Sequence, residues 1–386
     1  MIHALLVAGV VITLLGAVVL PVNLAAFPML SRATKGRRRS LQPRVSVVIP
    51  ARNEEAEIDR AVRSHLAQDY PDFQVVVVDD RSTDGTAAIL EKLRREDPRL
   101  LVVSGAEPPE GWLGKPHALW LGASAADGDI LLFVDADVRY DPRTLSEAVT
   151  VLEEQGIDLL TFFPRFEMRG FWENVLLPYL AVGVFLGLGF LATTRRFRRL
   201  ALGAGVGNLV RRSVYDAVGG HAVLRNSVVD DLRLAIEVKR AGFGVAAVRA
   251  EDRVAVRIYH GFQGVWNGFT KNVAWGFPGA GGAFLLALTV LFLAVSIAPA
   301  ATLLAAAAGL KIAESDVVLA AVLFVSSVVL RALLAAALRD PLWPAVTHPL
   351  MAAVWAGIIG RSFYRKHVLK TIVWRGRRYD AAEAGF

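Results

Sequence analysis

Two carboxylates, Asp135 and Asp137, follow an apolar run that covers residues 130–134. The run has the composition of a buried strand, and side chains two residues apart on a strand point to the same face. Hard oxygen ligands of this kind suit Mg²⁺ or Mn²⁺ rather than Zn²⁺. The pair therefore predicts a divalent-cation site, while a solvated turn after the strand is the simpler interpretation of the pair taken alone.

The elements that must position these carboxylates follow an alternating order. The apolar runs are residues 45–49, 74–78, 100–103 and 130–134, and the segments with helical spacing are residues 55–68 and 86–95. This β-α-β-α-β order predicts an α/β domain with a doubly wound, largely parallel sheet. Ligands of such sheets bind beyond the carboxyl ends of the strands, where Asn53, Glu54, Asp79 and Asp80 are also expected.

Five motifs in one order carry a family resemblance. They are Pro50-x-Arg-Asn-Glu54, Val78-Asp-Asp-x-Ser-x-Asp-Gly-Thr86, Gly111-Trp-x-Gly-Lys-x-x-Ala118, Asp135-Ala-Asp137 and Asp230-Asp-x-x-Leu-Ala235. With them the chain resembles the family 2 glycosyltransferases of the GT-A fold, and more narrowly the membrane-bound branch that glycosylates hopanoid, carotenoid or ceramide-type lipids. The resemblance covers residues 44 to about 275.

The resemblance implies a nucleotide-sugar donor and a divalent metal, Mg²⁺ or Mn²⁺, held by Asp135 and Asp137. The implied donor-binding residues are Pro50, Arg52, Glu54, Asp79, Asp80, Lys115 and Asp135. Asp80 would accept a hydrogen bond from the base and Asp79 would hold its loop, while a capped turn is the structural alternative. The metal would neutralise charge on the leaving nucleotide. Lys115 would assist, or it is a solvated lysine, since Gly114 and Pro116 indicate a loop.

The resemblance also implies a catalytic base and an acceptor region. Asp231 would take the proton of an acceptor hydroxyl as that hydroxyl attacks the anomeric carbon with inversion. Residues 226–242 have the pattern of a capped helix closed by glycine, so a helix start rich in acids is the alternative reading of Asp231. The implied acceptor region contains Trp112, Asp230, Gln263 and Trp266, and Trp112 would either stack on a sugar or fill an apolar lid.

Other patterns exclude several kinds of site. Gly203-Ala-Gly-Val-Gly207 has the wrong glycine spacing for a dinucleotide fingerprint and predicts a loop of close backbone approach. The 7 histidines show no metal-site spacing and the chain has 0 cysteines, which excludes zinc, thiol catalysis and disulfides and leaves the redox compartment open.

The composition indicates a membrane protein. The 386 residues are 54% hydrophobic with a mean hydropathy of +0.44. Residues 4–30 are expected to form a retained transmembrane helix, and three further candidate spans are residues 283–310, 317–338 and 342–359, the last weakened by Pro344 and Pro349.

Charge predicts the orientation of these spans. Arg32, Lys35, Arg37, Arg38, Arg39 and Arg44 directly follow the first span. The positive-inside rule therefore places the catalytic domain in the cytoplasm. Three later spans would put the basic residues 361–378 outside, so either the last segment does not cross or the tail lies along a surface.

Residues 171–192 form a further apolar stretch inside the predicted catalytic domain. The arginine cluster that follows it consists of Arg195, Arg196, Arg198 and Arg199. A crossing here would separate Asp231 from Asp135, so we expect a helix in the membrane interface with the arginines at lipid headgroups. Binding of the arginines to lipid headgroups would then account for the net charge of +7. Nucleic acid is not expected as a partner, because the arginines adjoin apolar segments.

The predicted organisation has five parts. They are a transmembrane helix at residues 1–31, a GT-A catalytic domain at 40–256, an interfacial connector at 257–279, about three transmembrane helices at 280–361 and a basic tail at 362–386. The prediction is an inverting, metal-dependent transfer of a sugar to a membrane lipid. One alternative is a processive polysaccharide synthase, which the absence of a Gln/Arg-x-x-Arg-Trp motif around Trp266 disfavours. A transporter or sensor is another alternative. Charged residues are scarce within the C-terminal spans, with Arg331 the main exception, and this disfavours a path for ions or protons.

Overall fold

The computed structural model describes residues 2–34, 42–187, 189–194, 196–276, 279–374 and 377–380. It divides into two compact units. The helical unit consists of residues 1–26, 168–190 and 259–372, and the sheet unit consists of residues 27–167, 191–258 and 373–386.

The strands are, in chain order, β1 Val45–Ala51, β2 Phe73–Asp79, β3 Leu100–Ser104, β4 Ile130–Phe133, β5 Val138–Tyr140, β6 Leu159–Phe163, β7 Arg165–Phe166, β8 Asn208–Arg211, β9 Val245–Arg249, β10 Val254–Val256, β11 Thr371–Trp374 and β12 Arg377–Asp380. The helices are α1 Ile2–Ala26, α2 Leu30–Ala33, α3 Ile58–Leu66, α4 Thr86–Glu96, α5 Gly114–Ala125, α6 Thr144–Glu154, α7 Phe171–Leu176, α8 Pro178–Ala181, α9 Gly189–Thr193, α10 Arg212–Ala217, α11 Gly220–Val223, α12 Asp230–Arg240, α13 Gly261–Asn272, α14 Gly279–Ala307, α15 Glu314–Leu338 and α16 His348–Tyr364.

A seven-stranded mixed sheet in the order β3-β2-β1-β4-β8-β6-β9 forms the centre of the sheet unit. Its β1, β2, β3 and β4 pair in parallel, and β8 is antiparallel to both of its neighbours. Residues 75–78 of β2 are fully buried, as expected for a strand covered on both faces. The prediction of an α/β domain is confirmed. The apolar runs correspond to β1, β2, β3 and β4, and the helical spacing of residues 86–95 corresponds to α4.

Three helices of the helical unit are long and apolar enough to cross a membrane within the described residues: Ile2–Ala26, Leu286–Ala307 and Glu314–Leu338. The third predicted C-terminal span differs. It begins with a 3₁₀ turn at Trp343–Thr347 and continues as α16, which has 17 residues.

Contacts along α1 and α15 show that these two helices run parallel. His3 Nδ1 lies 2.7 Å from Asp316 Oδ1 near their N-terminal ends. Further along, a Cβ on Gly16 would lie only 3.0 Å from Leu330, so the glycine makes room for the leucine. Small residues at a helix contact of this kind let apolar helices approach closely.

Residues 171–192 do not form one continuous helix. The described part consists of α7, α8 and a π-helical turn at Val182–Leu186, followed after Gly187 by α9. Glu173 is only 2% exposed and accepts hydrogen bonds from the backbone N–H groups of Arg169 and Gly261, both at 2.9 Å. A position of this stretch in the membrane interface remains a prediction.

Candidate active site

The polar residues that follow β1, β2 and β4 meet at one edge of the sheet. Ala51 pairs with Asp79, and Val48 pairs with Phe133, so the carboxyl ends of the three parallel strands are neighbours. β4 ends at Phe133, and Asp135 and Asp137 lie in the turn before β5. The two carboxylates were expected on the strand itself, and the structure instead has them in the turn, so strand alternation does not determine where they point.

Lys115 links the carboxylates of this edge. Its Nζ lies 2.7 Å from Asp135 Oδ1 and 3.7 Å from Asp230 Oδ1. The lysine is in the first turn of α5, not in the loop that its flanking residues suggested, and its side chain is 23% exposed. Burial lowers the pKa of Lys115, but the charges of Asp135, Asp230 and Asp231 outweigh burial and raise it well above its usual range.

Asp230 and Asp231 occupy the first turn of α12, and Gly242 follows that helix with a φ of 95°. The Asp231 carboxylate accepts the backbone N–H of Leu232 at 2.8 Å and that of Gly205. Burial is the largest cause of a raised pKa at both aspartates. The positive charge of Lys115 lowers the pKa, and neighbouring carboxylates raise it again. The helix dipole was expected to favour the ionised form, and these effects outweigh it.

The glycine-rich segment at residues 203–207 is a loop of close approach, as its sequence predicted. A Cβ on Gly203 would collide with the backbone of Asp231, and one on Gly205 would collide with the carboxylate of Asp135. The carbonyl of Gly205 also accepts the Asp135 N–H at 2.7 Å. The loop thereby brings Asp135 and Asp231 to one cleft, which Lys115, Asn208 and His221 also line.

Asp137 has the electrostatic environment of a cation ligand. Its pKa is raised to about 7 by burial, followed by the charges of Asp135 and Glu54. A divalent cation on Asp135 and Asp137 would relieve this repulsion, and Mg²⁺ is commonly held by one or two carboxylates together with substrate phosphates. The described residues contain no group of three or more acidic, histidine or cysteine side chains arranged for a metal. The residues therefore fit a metal that substrate phosphates complete.

The loops after β1 and β2 bind each other around Asp80. Arg52 Nη1 donates to the carbonyl of Asp80 at 2.6 Å, and Arg81 Nε lies 3.2 Å from its carboxylate. Asp79 accepts the Ser82 N–H at 3.1 Å, which is the capped turn considered for this segment. The capped turn at Asp79 does not conflict with the predicted hydrogen bond from a base to Asp80, because the two interpretations use different side chains.

Two backbone conformations in these loops are strained. Asn53 and Arg81 have φ values of 54° and 56°, in the left-handed region that residues other than glycine rarely adopt. The Asn53 side chain accepts the Thr83 N–H at 2.8 Å, and Glu54 N–H donates to Thr86 Oγ1 at 2.8 Å. Strain of this kind is retained where the surroundings enforce it, commonly at binding sites.

Trp112 belongs to an aromatic cluster that sequence reasoning did not find. Its ring centroid lies 5.5 Å from that of His117 and 5.6 Å from that of Trp120. The pKa of His117 is lowered by burial, with an opposing effect of Asp80 and a further lowering by Arg81, which shows that the cluster adjoins the Asp80 loop. The helical spacing of 117 and 120 is the signal that was available in the sequence.

The buried pair of His221 and Tyr215 supports the cleft from the core side. The Tyr215 hydroxyl is 2.9 Å from His221 Nδ1, and the His221 ring packs 4.7 Å from Phe133 between centroids. Burial lowers the pKa of His221 to about 3, with a smaller contribution from the charge of Lys115. The imidazole is therefore neutral and serves as a packed, hydrogen-bonded wall.

Two predicted acceptor residues, Gln263 and Trp266, lie on α13 in the helical unit, whereas Asp230, Asp231 and Trp112 lie in the sheet unit. Trp266 stacks on Phe262 with 5.6 Å between ring centroids. Within the arginine cluster, Arg195 lies outside the described residues, and the other three arginines are exposed.

Carboxylates lie beyond the carboxyl ends of the parallel strands of a mixed α/β sheet, with Lys115 of α5 between them, and this arrangement is that of the GT-A fold. Residues 46–229 match the model of Glycosyl transferase family 2.

Known proteins resemble the chain beyond this domain. It is 28% identical over 348 residues to a 4,4'-diaponeurosporenoate glycosyltransferase of Staphylococcus aureus, which covers 88% of this chain and 89% of that one. The protein of the same name from Staphylococcus haemolyticus is 27% identical over 245 residues, and the match spans 63% of this chain and 64% of that relative. A solved mannosyltransferase from Pyrobaculum calidifontis, in complex with GDP-Man and Mn²⁺, has a TM-score of 0.60 at 21% identity and covers 95% of this chain and 100% of that one. This last likeness concerns the fold.

Proposed function

We propose that the protein transfers a sugar, with inversion, from a nucleotide-sugar donor to a membrane lipid. The observation that carries the proposal is the charged group at one cleft of the sheet unit: Lys115 Nζ lies 2.7 Å from Asp135 and 3.7 Å from Asp230, with Asp231 beside them. One positive side chain among carboxylates is suited to hold a diphosphate near a base.

The donor would lie across the carboxyl ends of β1, β2 and β4. The Asp80 carboxylate, which lies 3.6 Å from Arg52 Nη1 and 3.2 Å from Arg81 Nε, would accept a hydrogen bond from a base N–H. Asp135 and Asp137 would hold the divalent metal, which supplies Lewis-acid stabilisation of the leaving diphosphate. Lys115 would add its positive charge to the same phosphates.

Asp231 would act as the general base. A hydroxyl acceptor forms a bond from its oxygen to the anomeric carbon while the bond between that carbon and the diphosphate oxygen breaks, and the acceptor proton goes to Asp231. The raised pKa of Asp231 favours this role because it makes the carboxylate a stronger base. The backbone N–H groups of Leu232 and Gly205 hold the carboxylate in place.

The helical unit and the named relatives support a lipid acceptor. The relatives' name, 4,4'-diaponeurosporenoate glycosyltransferase, denotes a carotenoid-type carboxylate acceptor. A stripe of α15 that is more than half exposed is entirely apolar, as expected of a lipid-facing surface: Val318, Val322, Val325, Val329 and Leu333. We therefore infer an apolar acceptor that carries a carboxylate or hydroxyl at its reacting end.

We further propose that α1, α14 and α15 cross the membrane and that α16 does not. The parallel contacts of α1 and α15 would then put Ala26 and Leu338 on the same side of the membrane, and a cluster of basic residues follows Ala26 in the sequence. That side is cytoplasmic by the positive-inside rule. The basic tail then also stays in the cytoplasm, which removes the conflict that a third C-terminal span would create.

Reconstitution tests this function. The full chain in phospholipid vesicles would be supplied with UDP- and GDP-sugars and with an apolar carboxylate and an apolar alcohol as acceptors. We expect a glycosylated lipid whose anomeric configuration is opposite to that of the donor. Retention of configuration would contradict the single-displacement mechanism, and a polymer product would favour a polysaccharide synthase instead.

A further inference from the structure

A buried asparagine lies between the central sheet and the helix that carries the proposed base. Asn208 is the first residue of β8 and is 1% exposed. Its backbone pairs with Phe133 at the end of β4 and with Thr161 of β6, so the sheet fixes its position from both sides. A buried amide costs free energy unless its hydrogen bonds are made. The partners of the Asn208 side chain therefore indicate its role.

The Asn208 amide contacts two backbone groups. Its Nδ2 donates to the carbonyl of Asp231 at 3.1 Å. Its Oδ1 lies 3.5 Å from the backbone nitrogen of Ala204, at the long limit of a hydrogen bond. A carbonyl oxygen has two lone pairs, so Asp231 can accept this bond and keep its place in the first turn of α12. One side chain thus joins β8, the glycine-rich loop and the start of α12.

The glycine-rich loop at residues 203–207 is itself held at two points. The carbonyl of Gly205 accepts the Asp135 N–H at 2.7 Å. The carbonyl of Val206 accepts the hydroxyl of Tyr140, a buried residue of β5, at 2.8 Å. The loop is therefore a fixed support beside Asp135.

The peptide group of Asp231 packs directly against this support. A Cβ on Gly203 would collide with the carbonyl oxygen of Asp231, so the two backbones are in contact. Asn208 donates to that same oxygen. A packing contact has no preferred direction, whereas a hydrogen bond does, so the Asn208 amide determines how the Asp231 peptide is oriented on the loop.

We propose that Asn208 is a positioning residue for the general base, an inference that rests on the proposed function of Asp231. By holding the Asp231 carbonyl against β8, Asn208 would keep the base at a fixed distance from Asp135 and the donor. It acts through Asp231 and takes no part in the proton transfer. Alignment of the base with the acceptor hydroxyl matters because a displacement of about 1 Å can cost about 100-fold in rate.

A double-mutant cycle tests this role. The full chain as N208A, D231N and the double variant would be compared with the wild-type protein for turnover of a hydroxyl acceptor at saturating donor, and for donor affinity by direct binding. We expect N208A to lower turnover about 10- to 100-fold and to change donor affinity about threefold or less. In the D231N background the same change should cost about threefold or less, because Asn208 acts through the carboxylate. A loss in the double variant equal to the product of the two single losses would overturn the proposal.

The choice of acceptor gives a second readout that general damage to the fold would not reproduce. A carboxylate acceptor is already ionised and needs no base, so N208A should lower its transfer about threefold or less. Equal losses with both acceptors would contradict the positioning role. If D231N itself keeps wild-type turnover with the hydroxyl acceptor, the assignment of the base fails and the inference fails with it. If D231N is impaired and N208A is not, only the inference about Asn208 fails.

Q74A is the matched control. Gln74 of β2 is 9% exposed and donates to the Ser46 hydroxyl at 2.8 Å, so the variant also removes a buried amide hydrogen bond from the same sheet. Gln74 lies at the opposite end of β2 from Asp79, and Q74A should keep full turnover with both acceptors. Comparable losses in Q74A and N208A would refute the specific role. If N208A does not fold, N208T gives the same comparison, because threonine suits a strand but its hydroxyl is one bond shorter than the amide.

Discussion

Replacement of Asp231 by Asn tests whether this residue is a catalytic base or only binds the donor. The change preserves size and position on α12, and it removes a carboxylate that accepts the N–H of Leu232 at 2.8 Å and that of Gly205. The Asn oxygen can still accept one of these hydrogen bonds. The amide has no basic oxygen for the acceptor proton, so the variant should fail in chemistry and not in folding.

The expected loss of turnover follows from the proposed role of Asp231 as the general base. General-base catalysis contributes about two to four orders of magnitude, which corresponds to about 2.7–5.5 kcal/mol of transition-state stabilisation. Donor affinity should barely change, because Lys115 keeps its contacts with Asp135 and Asp230. With a carboxylate acceptor the loss should be smaller, about tenfold or less, since the nucleophile is already ionised at neutral pH.

The assay measures turnover at saturating donor with a hydroxyl and a carboxylate acceptor, and donor affinity by direct binding. D216N is the matched control, because Asp216 is an exposed aspartate of the same unit, and it should retain full activity. If D231N loses donor affinity while turnover at saturation is unchanged, Asp231 is a binding residue and the assignment as base is wrong.

Three further predictions concern the metal, the core and the membrane surface. D135A and D137A should each abolish transfer and reduce metal-dependent donor binding while the protein stays folded, and full activity in excess chelator would contradict a metal requirement. The pKa of His221 is lowered to about 3 in the folded state, so the free energy of unfolding should fall as the pH drops below the unfolded-state pKa of 6.5, by up to about 1.4 kcal/mol per pH unit from this group. The melting temperature of H221Q should depend less steeply on pH over that range. A slope equal to that of the wild-type protein would argue against a buried neutral imidazole. Replacement of the arginine cluster by Gln should impair transfer to a membrane-embedded acceptor more than hydrolysis of the donor by water, and equal losses in the two assays would rule out a role in contacting the membrane.

The alternation of apolar runs predicted the sheet because parallel strands buried on both faces are apolar along their whole length. Residues 75–78 of β2 are the plainest example. The acids after β1 and β2 were expected at one edge, and the pairing of Ala51 with Asp79 places them there. These features depend on local patterns and on a general rule for parallel sheets.

Features that depend on distant contacts were not predictable in the same way. Lys115 was expected in a loop because Gly114 and Pro116 flank it, yet the first turn of a helix tolerates proline, since its N–H groups have no partner within the helix. The contact of Lys115 with Asp230 joins residues far apart in the chain. Glu173 is likewise buried, within a stretch whose sequence predicts a position in the membrane interface, because it accepts the backbone N–H of Gly261.

Product analysis with single-cysteine mapping of the site tests the central claim most directly. Cysteine placed singly at 193 or 231 is informative because the chain has 0 native cysteines. In vesicles that hold the chain in one orientation, both positions should be labelled from the side to which nucleotide sugar is added, and the wild-type protein should there form an inverted glycolipid that D231N does not form. Labelling of position 231 from the opposite side, or glycolipid formation by D231N at the wild-type rate with a hydroxyl acceptor, would contradict the proposed cytoplasmic site and its catalytic base.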